Sequence, residues 1–400
     1  MDRVAKFAGL RAIAAFLVGF TIPVSVTISE IVTVLAFVIL LIEGQPRENW
    51  QRIRGNPVAW ASLGLFFLLG LCMIYSVAPL PEAAHIWFKY RDLLYLPLFL
   101  LLCRDHLAAR AGLLGFLAAA AAIFLLGVAQ WLSHMPLVPS SLGYGSVFGS
   151  YIIEGVLMAL AAYHLAVEAI LDSRWRKYWA LGASLALLYV LYLSPGRTGY
   201  IEVIALALLL LFQTAPRKWL LPGFLAIGVI GGSVFVVAPE LGQRMSGVVA
   251  GVLGSHEGGG ANSAGLRLQF YRGALVLMER HPIFGTGTGS FNRVYNEQVL
   301  VENQVITSNP HNEYLMIGVQ TGIVGVAALL ALFGALWFHA ARLPQAVAWR
   351  GRAVTLALAI SCLFNSSLLD HVDGQSFAFQ IGLFYFGARG REDQRHHHDL

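Results

Sequence analysis

Long apolar runs alternate with short polar turns along this chain. Stretches of about 18 or more mostly apolar residues are long enough to cross a bilayer as helices. Twelve such segments occur, near 8–24, 27–43, 57–78, 83–103, 108–132, 147–170, 178–194, 198–213, 219–238, 311–339, 353–369 and 374–388. The pattern predicts an all-α polytopic membrane protein of 12 transmembrane helices. One polar connection is long, so the chain divides into nine helices over 1–239, a loop over 240–310, and three helices with a tail over 311–400. Within the loop, GSHEGGGANSAG reads as a flexible stretch. The following LRLQFYRGALVLMER repeats Leu266, Phe270 and Leu277 at about helical spacing, as an amphipathic helix lying on a membrane surface does. The remainder, HPIFGTGTGSFNRVYNEQVLVENQVITS, reads as loop.

Charge adds an orientation. Of the 400 residues 57% are hydrophobic and 12% charged, and the few cations are unevenly placed. Arg3, Lys6, Arg11, Arg47, Arg52, Arg54, Arg104, Arg110, Arg174, Arg176, Lys177, Arg217, Lys218, Arg342, Arg350, Arg352, Arg389, Arg391 and Arg395 all fall on one side of the predicted topology. By the positive-inside rule that side is cytoplasmic and holds both termini. The short loops of the other side carry a single cation, Arg197, and the long loop shares that side. The net charge of +5 is thereby accounted for by anionic lipid headgroups, and no nucleic-acid partner is implied. The N-terminal run lacks a small-residue cleavage site and is expected to stay as the first span. Cys72, Cys103 and Cys362 sit in apolar segments, which suggests neither disulfides nor a zinc site, and the tail GREDQRHHHDL reads as solvated.

Several residues on the non-cytoplasmic side carry candidate chemistry. In NPHNEYLMIGVQTGIVG, Asn309 is a good N-cap, Pro310 suits the first helical position, and His311 is expected in the first turn. His311 there is either an interfacial side chain satisfied by a backbone carbonyl or a proton-transfer group at the membrane–water boundary. Gly318, Gly322 and Gly325 follow at helical spacing and read as a helix-packing face. Arg197 of SPGRTGY begins a helix after a Pro-Gly turn, either as a headgroup anchor or as a bidentate grip on phosphate. Arg267 opens the amphipathic helix with Tyr271 one turn later, a pairing that fits lipid contact as well as chemistry. In HIWFKYRDLLYLP, His85 and Lys89 share a helix face beside Arg91 and Asp92, so these charges either line an aqueous cavity or pair internally as Lys89–Asp92.

Some signatures are absent or weak. G-x-G-x-G in GTGTGS follows no strand, precedes no P-loop lysine and reads as backbone shaping rather than nucleotide binding. No D-x-D or comparable acidic motif marks the outer side, and no G-x-S-x-G elbow occurs. Arg, Lys and His without an acidic motif point to an anionic substrate handled without metal or cofactor.

Three of these segments resemble the O-antigen ligase and polymerase superfamily. SPGRTGYIEV is similar to its S-x-x-R helix start. GLRLQFYRGALVLMERHPIFGTGTGSF is similar to its loop segment, with Arg267 leading and a P-x-x-G-x-G turn following. HNEYLMIGVQTGIVG fits the ligase pattern of His-Asn, nine residues, then G-x-x-G. The resemblance implies a glycosyltransferase of the Gram-negative inner membrane with its site facing the periplasm. It implies transfer of a glycan from undecaprenyl pyrophosphate to the lipid A-core oligosaccharide, with His311 as base and Arg197 and Arg267 stabilising the leaving pyrophosphate. Lys89, Arg91, Asn312, Tyr271 and His85 are then expected as substrate contacts. O-antigen polymerase and protein O-oligosaccharyltransferase share that donor. A transporter or flippase for a lipid-linked anion is the reading from another class, and it predicts internal repeats that this chain lacks.

Overall fold

The computed structural model describes residues 2–138, 146–194, 196–237, 263–302 and 305–386, and among these every regular element is helical. Among the described residues six helices are long and apolar enough to cross a membrane: Val26–Glu43 (α2), His106–Ser133 (α7), Tyr151–Leu171 (α8), Arg197–Thr214 (α10), Glu313–Ala340 (α14) and Gln345–Phe364 (α15). The protein is thus a multi-pass membrane protein. Around these stand Asp2–Thr21 (α1), Pro46–Arg54 (α3), Pro57–Leu71 (α4), Leu80–Lys89 (α5), Asp92–Leu102 (α6), Arg176–Leu188 (α9), Arg217–Val237 (α11), Ser263–Arg280 (α12), Phe291–Glu302 (α13) and His371–Tyr385 (α16). The tail GREDQRHHHDL and most of GSHEGGGANSAG lie outside the described residues.

Local chemistry sets the helix starts. Ser25, Asn56, Asp105, Ser150 and Asp370 each cap a helix by accepting a backbone N–H with the side chain, and Pro57 sits in the first turn behind Asn56. The shortest C-terminal helix is the most enclosed. Residues Asp373 to Tyr385 of α16 are buried all round, and its two glutamines find partners inside the bundle. Gln375 donates to Thr33 Oγ1 at 3.0 Å and accepts from Ser29 Oγ at 3.0 Å, while Gln380 Oε1 meets His164 Nε2 at 2.9 Å.

Two expected elements differ. The run 83–103 is not one continuous helix: the chain breaks at Tyr90 and Arg91 between α5 and α6, where Tyr90 gives its hydroxyl to Glu313 Oε1 at 2.9 Å and Arg91 pairs with Glu30. The stretch after GTGTGS, expected as loop, forms α13, because Phe291 and Tyr295 repeat on one face and pack with Phe270, Ala274 and Leu277 of α12 and with Met316 and Val319 of α14. That second small core also shows α12 seated on protein, where the sequence suggested a membrane surface.

Four of the cations that the sequence assigned to a single side meet carboxylates from other helices. Arg11 pairs with Glu43 and Asp105, Arg104 with Glu43, and both Arg110 and Arg350 with Glu168. Arg11 and Arg350 are buried in these pairs and brace the helices they join.

One end of the bundle is organised by the loop from Pro282 to Ser290. Within α14, Gly322 has φ +63° and ψ −158°, a conformation almost confined to glycine, and there the helix opens. The loop enters that opening: Thr286 N donates to Val319 O at 3.0 Å, Gly287 N to Gln320 O at 2.8 Å, and Ile323 N to Pro282 O at 2.8 Å. On its other side Thr288 donates its N–H to Cys72 O at 3.2 Å and its hydroxyl to Leu69 O at 2.6 Å, both at the end of α4. Gly322 therefore receives a backbone loop where the packing reading expected a neighbouring helix. A Cβ on Gly322 would lie 2.3 Å from the Ile283 carbonyl. We predict that Gly322→Ala unfolds at lower temperature than wild type in detergent, losing at least about 1–3 kcal/mol from backbone conformation alone, whereas Gly9→Ala, with open space around it, changes little; differential scanning fluorimetry of both variants checks this.

Candidate active site

The residues singled out in the second half of the chain meet at the end closed by the inserted loop. Helix α14 does not start where Asn309 and Pro310 suggested. Asn312 is the N-cap, its Oδ1 accepting from Leu315 N at 3.0 Å, so His311 stands before the helix and outside the span. Asn309 is used differently: its Oδ1 accepts from His311 N at 2.8 Å and from Ser366 Oγ at 2.7 Å. His311 has φ +55°, a left-handed backbone that is uncommon for a side chain of this size. Tyr271 holds the other side of that residue, donating to His311 O at 3.2 Å and to Leu363 O at 2.8 Å. Asn312 Nδ2 donates to the same Leu363 carbonyl at 3.0 Å. Tyr271 and Asn312, expected as substrate contacts, thus use their polar atoms on backbone and fix the position of His311.

The imidazole of His311 is half-buried, tilted against the Phe270 ring with centroids 6.4 Å apart. Burial first, and then the cation of Arg267, hold it below the ordinary histidine range, against a hydrogen bond with Asn365 that favours the charged form. The ring is therefore neutral near pH 7 and keeps one nitrogen able to take a proton. Arg267 also acts electrostatically on Tyr271, so α12 brings its guanidinium to this cluster as its position four residues before Tyr271 demands.

Arg197 reaches the same end by another route. It is the first residue of α10, after the π-helical turn Tyr189–Leu193, and Gly196 before it packs against the first turn of α8, where an added Cβ would meet Tyr151 O at 2.9 Å. One turn on, Glu202 lies within electrostatic reach of Asp373 at the start of α16, and Cys362 near the end of α15 feels Glu313, Asp373 and Glu202 together. The N-termini of α10, α14 and α16 and the C-terminus of α15 thus share this end with His311. No hydrogen bond joins Arg197 to His311 or Arg267 among the described residues.

The first-half candidates divide. Lys89 precedes the α5–α6 break, next to Tyr90, whose hydroxyl bonds Glu313 two residues beyond His311. His85 lies exposed one turn earlier. Arg91 is committed elsewhere: its guanidinium pairs with Glu30, approaches His371 Nδ1 at 3.2 Å and covers the Phe88 ring at 5.0 Å. The internal Lys89–Asp92 pair does not form, since Asp92 faces His371 Nδ1 at 3.5 Å. What the sequence did not reveal is the set of acids. Glu30, Asp92, Glu202, Glu313 and Asp373 come from separate helices and form no motif, yet Glu202, Glu313 and Asp373 surround Cys362 while Asp92 and Glu30 both face His371. Among the described residues no group of three or more His, Cys, Asp or Glu side chains is arranged to hold a metal ion.

Residues 182–330 match a family model described as O-antigen ligase. The chain is also similar to a protein of Haemophilus influenzae described as uncharacterized, 28% identical over 149 residues. That similarity covers 35% of this chain and spans 37% of the length of the relative. Arg197, Arg267, Tyr271, His311 and Asn312 fall inside the matched family region, and His85, Lys89 and Arg91 outside it.

The local charges dictate a titration. Removing the Arg267 cation removes one cause of the low His311 pKa, so Arg267→Gln raises it, and Asn365→Ala, which deletes the opposing hydrogen bond, lowers it further. Because the folded protein binds this proton more weakly than the unfolded chain, protonating His311 also costs stability as pH falls below about 6.5. NMR of histidine-labelled protein in micelles reads both shifts; identical titrations in the three proteins would remove Arg267 and Asn365 from the surroundings of His311.

Proposed function

With residues 182–330 carrying an O-antigen ligase family region, we propose that the protein is an O-antigen ligase of the bacterial inner membrane. In this reading 12 spans place both termini in the cytoplasm and the His311 end in the periplasm. The enzyme transfers a glycan from undecaprenyl pyrophosphate to a hydroxyl of the lipid A-core. The observation that carries the reading is the surroundings of His311: a neutral, half-buried imidazole on a left-handed backbone, beside Arg267, inside the family region.

The chemistry follows from those groups. Pyrophosphate is a good leaving group, so the reaction needs charge stabilisation more than an acid. Arg197 and Arg267 supply it, each guanidinium presenting fixed N–H donors to phosphate oxygens. The acceptor hydroxyl attacks the anomeric carbon while its proton passes to a ring nitrogen of His311. The C1–O bond to the pyrophosphate breaks, its electron pair leaves with undecaprenyl pyrophosphate, and a single displacement inverts the anomeric centre. Lys89, at the α5–α6 break, adds a cation to the donor side. Arg91, held by Glu30, and Tyr271, held on backbone, position neighbouring groups instead of touching phosphate.

The test is transfer by purified protein in liposomes given undecaprenyl-pyrophosphate glycan and lipid A-core, with EDTA present. Wild type is expected to join the two, and His311→Ala, Arg197→Ala and Arg267→Ala each to abolish transfer, a loss of at least about 100-fold, while remaining folded. Near-normal rates in a variant remove that residue from the mechanism. Lengthening of the donor glycan with lipid A-core unmodified identifies a polymerase, and glycan movement without covalent transfer identifies a transporter.

A further inference from the structure

Away from the His311 end, the surface between α7, α8 and α9 opens into a groove of about 570 Å³. Its walls are apolar, with Phe124 from α7, Met158 and Leu165 from α8, and Leu185 from α9. Trp175 and Tyr178 form one end of it, and each ring carries a cation: the Arg174 guanidinium lies 5.8 Å from the Trp175 centroid and the Lys177 ammonium 5.1 Å from that of Tyr178.

The neighbouring acids do not neutralise these cations by pairing with them. Asp172 spends its carboxylate on the turn before α9, accepting from Arg174 N at 3.0 Å, Trp175 N at 3.2 Å and Trp179 Nε1 at 3.2 Å, and it feels the Arg174 charge without forming an ion pair with it. Glu168 is held by Arg110 and Arg350. An apolar groove thus ends in aromatic rings that bear two cations. Its length is informative as well. From Trp175 to Ala186 the lining runs about 16 Å at the α-helical rise, close to the roughly 15 Å of hydrocarbon in one leaflet. Groove and cations together match the tail and headgroup of a single lipid in a single leaflet.

We propose that this groove binds an anionic phospholipid, one acyl chain lying along α7 and α9 and the phosphate between Arg174 and Lys177. The apolar walls bury the chain, and the cations select the charge of the headgroup. A polyprenyl donor bound at Arg197 fits less well, because its phosphates belong at the opposite end of α9 from Arg174. The inference is independent of the transferase reading.

Native mass spectrometry of the full chain in mild detergent, titrated separately with phosphatidylglycerol and with phosphatidylethanolamine, tests it. One phosphatidylglycerol is expected to be retained per chain, about tenfold more tightly than phosphatidylethanolamine. Arg174→Gln with Lys177→Gln is expected to remove that preference without affecting phosphatidylethanolamine. Gly182→Leu is expected to abolish retention of both lipids by filling the groove; its β-carbon meets Leu165 at an ordinary 3.5 Å. Equal retention of the two lipids by wild type overturns the proposal, as does undiminished phosphatidylglycerol binding in either variant. Displacement of bound phosphatidylglycerol by equimolar undecaprenyl phosphate overturns it as well and makes a polyprenyl chain the occupant.

Discussion

A backbone loop inside a helical membrane bundle is tolerated only if its N–H and C=O groups are paired, because lipid and packed side chains offer no replacement for water. The loop Pro282–Ser290 meets this requirement by using the groups that a broken helix sets free. Where α14 opens at Gly322, the carbonyls of Val319 and Gln320 and the amide of Ile323 lose helical partners and take loop atoms instead. The carbonyls of Leu69 and Cys72, at the end of α4, bind Thr288. Loop and helix ends satisfy one another, and neither arrangement is stable without the other. Gly287 shows how close the approach is, since a Cβ there would lie 2.1 Å from Ser76 Cα.

This interlock also accounts for the site. Helices α12 and α13 flank the inserted loop, so anchoring it seats them over the first turns of α14. Arg267 and Tyr271 thereby come to His311, which precedes α14 by two residues. The histidine is held on both sides of its strained backbone, by Asn309 at the amide and by Tyr271 at the carbonyl. A residue in that conformation persists only where its surroundings over-determine it, and such positions concentrate at functional sites.

The two ends of the bundle use charge in opposite ways. At the Glu43 and Glu168 end, arginines from different helices converge on shared carboxylates and close the structure. At the His311 end, Glu313 and Glu30 turn to Tyr90, Arg91, His371 and a backbone N–H, while Glu202 is buried with neither carboxylate oxygen hydrogen-bonded among the described residues. Lys89, Arg197 and Arg267 have no carboxylate in ion-pair reach among the described residues.

The membrane class, the one-sided cations, the helix starting at Arg197 and the helix carrying Arg267 were legible in the sequence, because apolar length, charge distribution and turn chemistry are local properties. The His-Asn and glycine spacing was legible as a pattern, but its meaning was not. Nothing local to Gly322 says that a loop some forty residues earlier will fill the gap it opens, and nothing local to Asn309 says that it will bind His311 and Ser366 instead of capping a helix. The break at Tyr90 was hidden for the same reason, since the partners that cause it, Glu313 and Glu30, lie on other helices. Sequence determined the apolar, helical character of the chain and which residue types fall near His311; tertiary structure alone decided which of those residues are free and which are spent holding His311, because each assignment depends on hydrogen-bond partners distant in the chain.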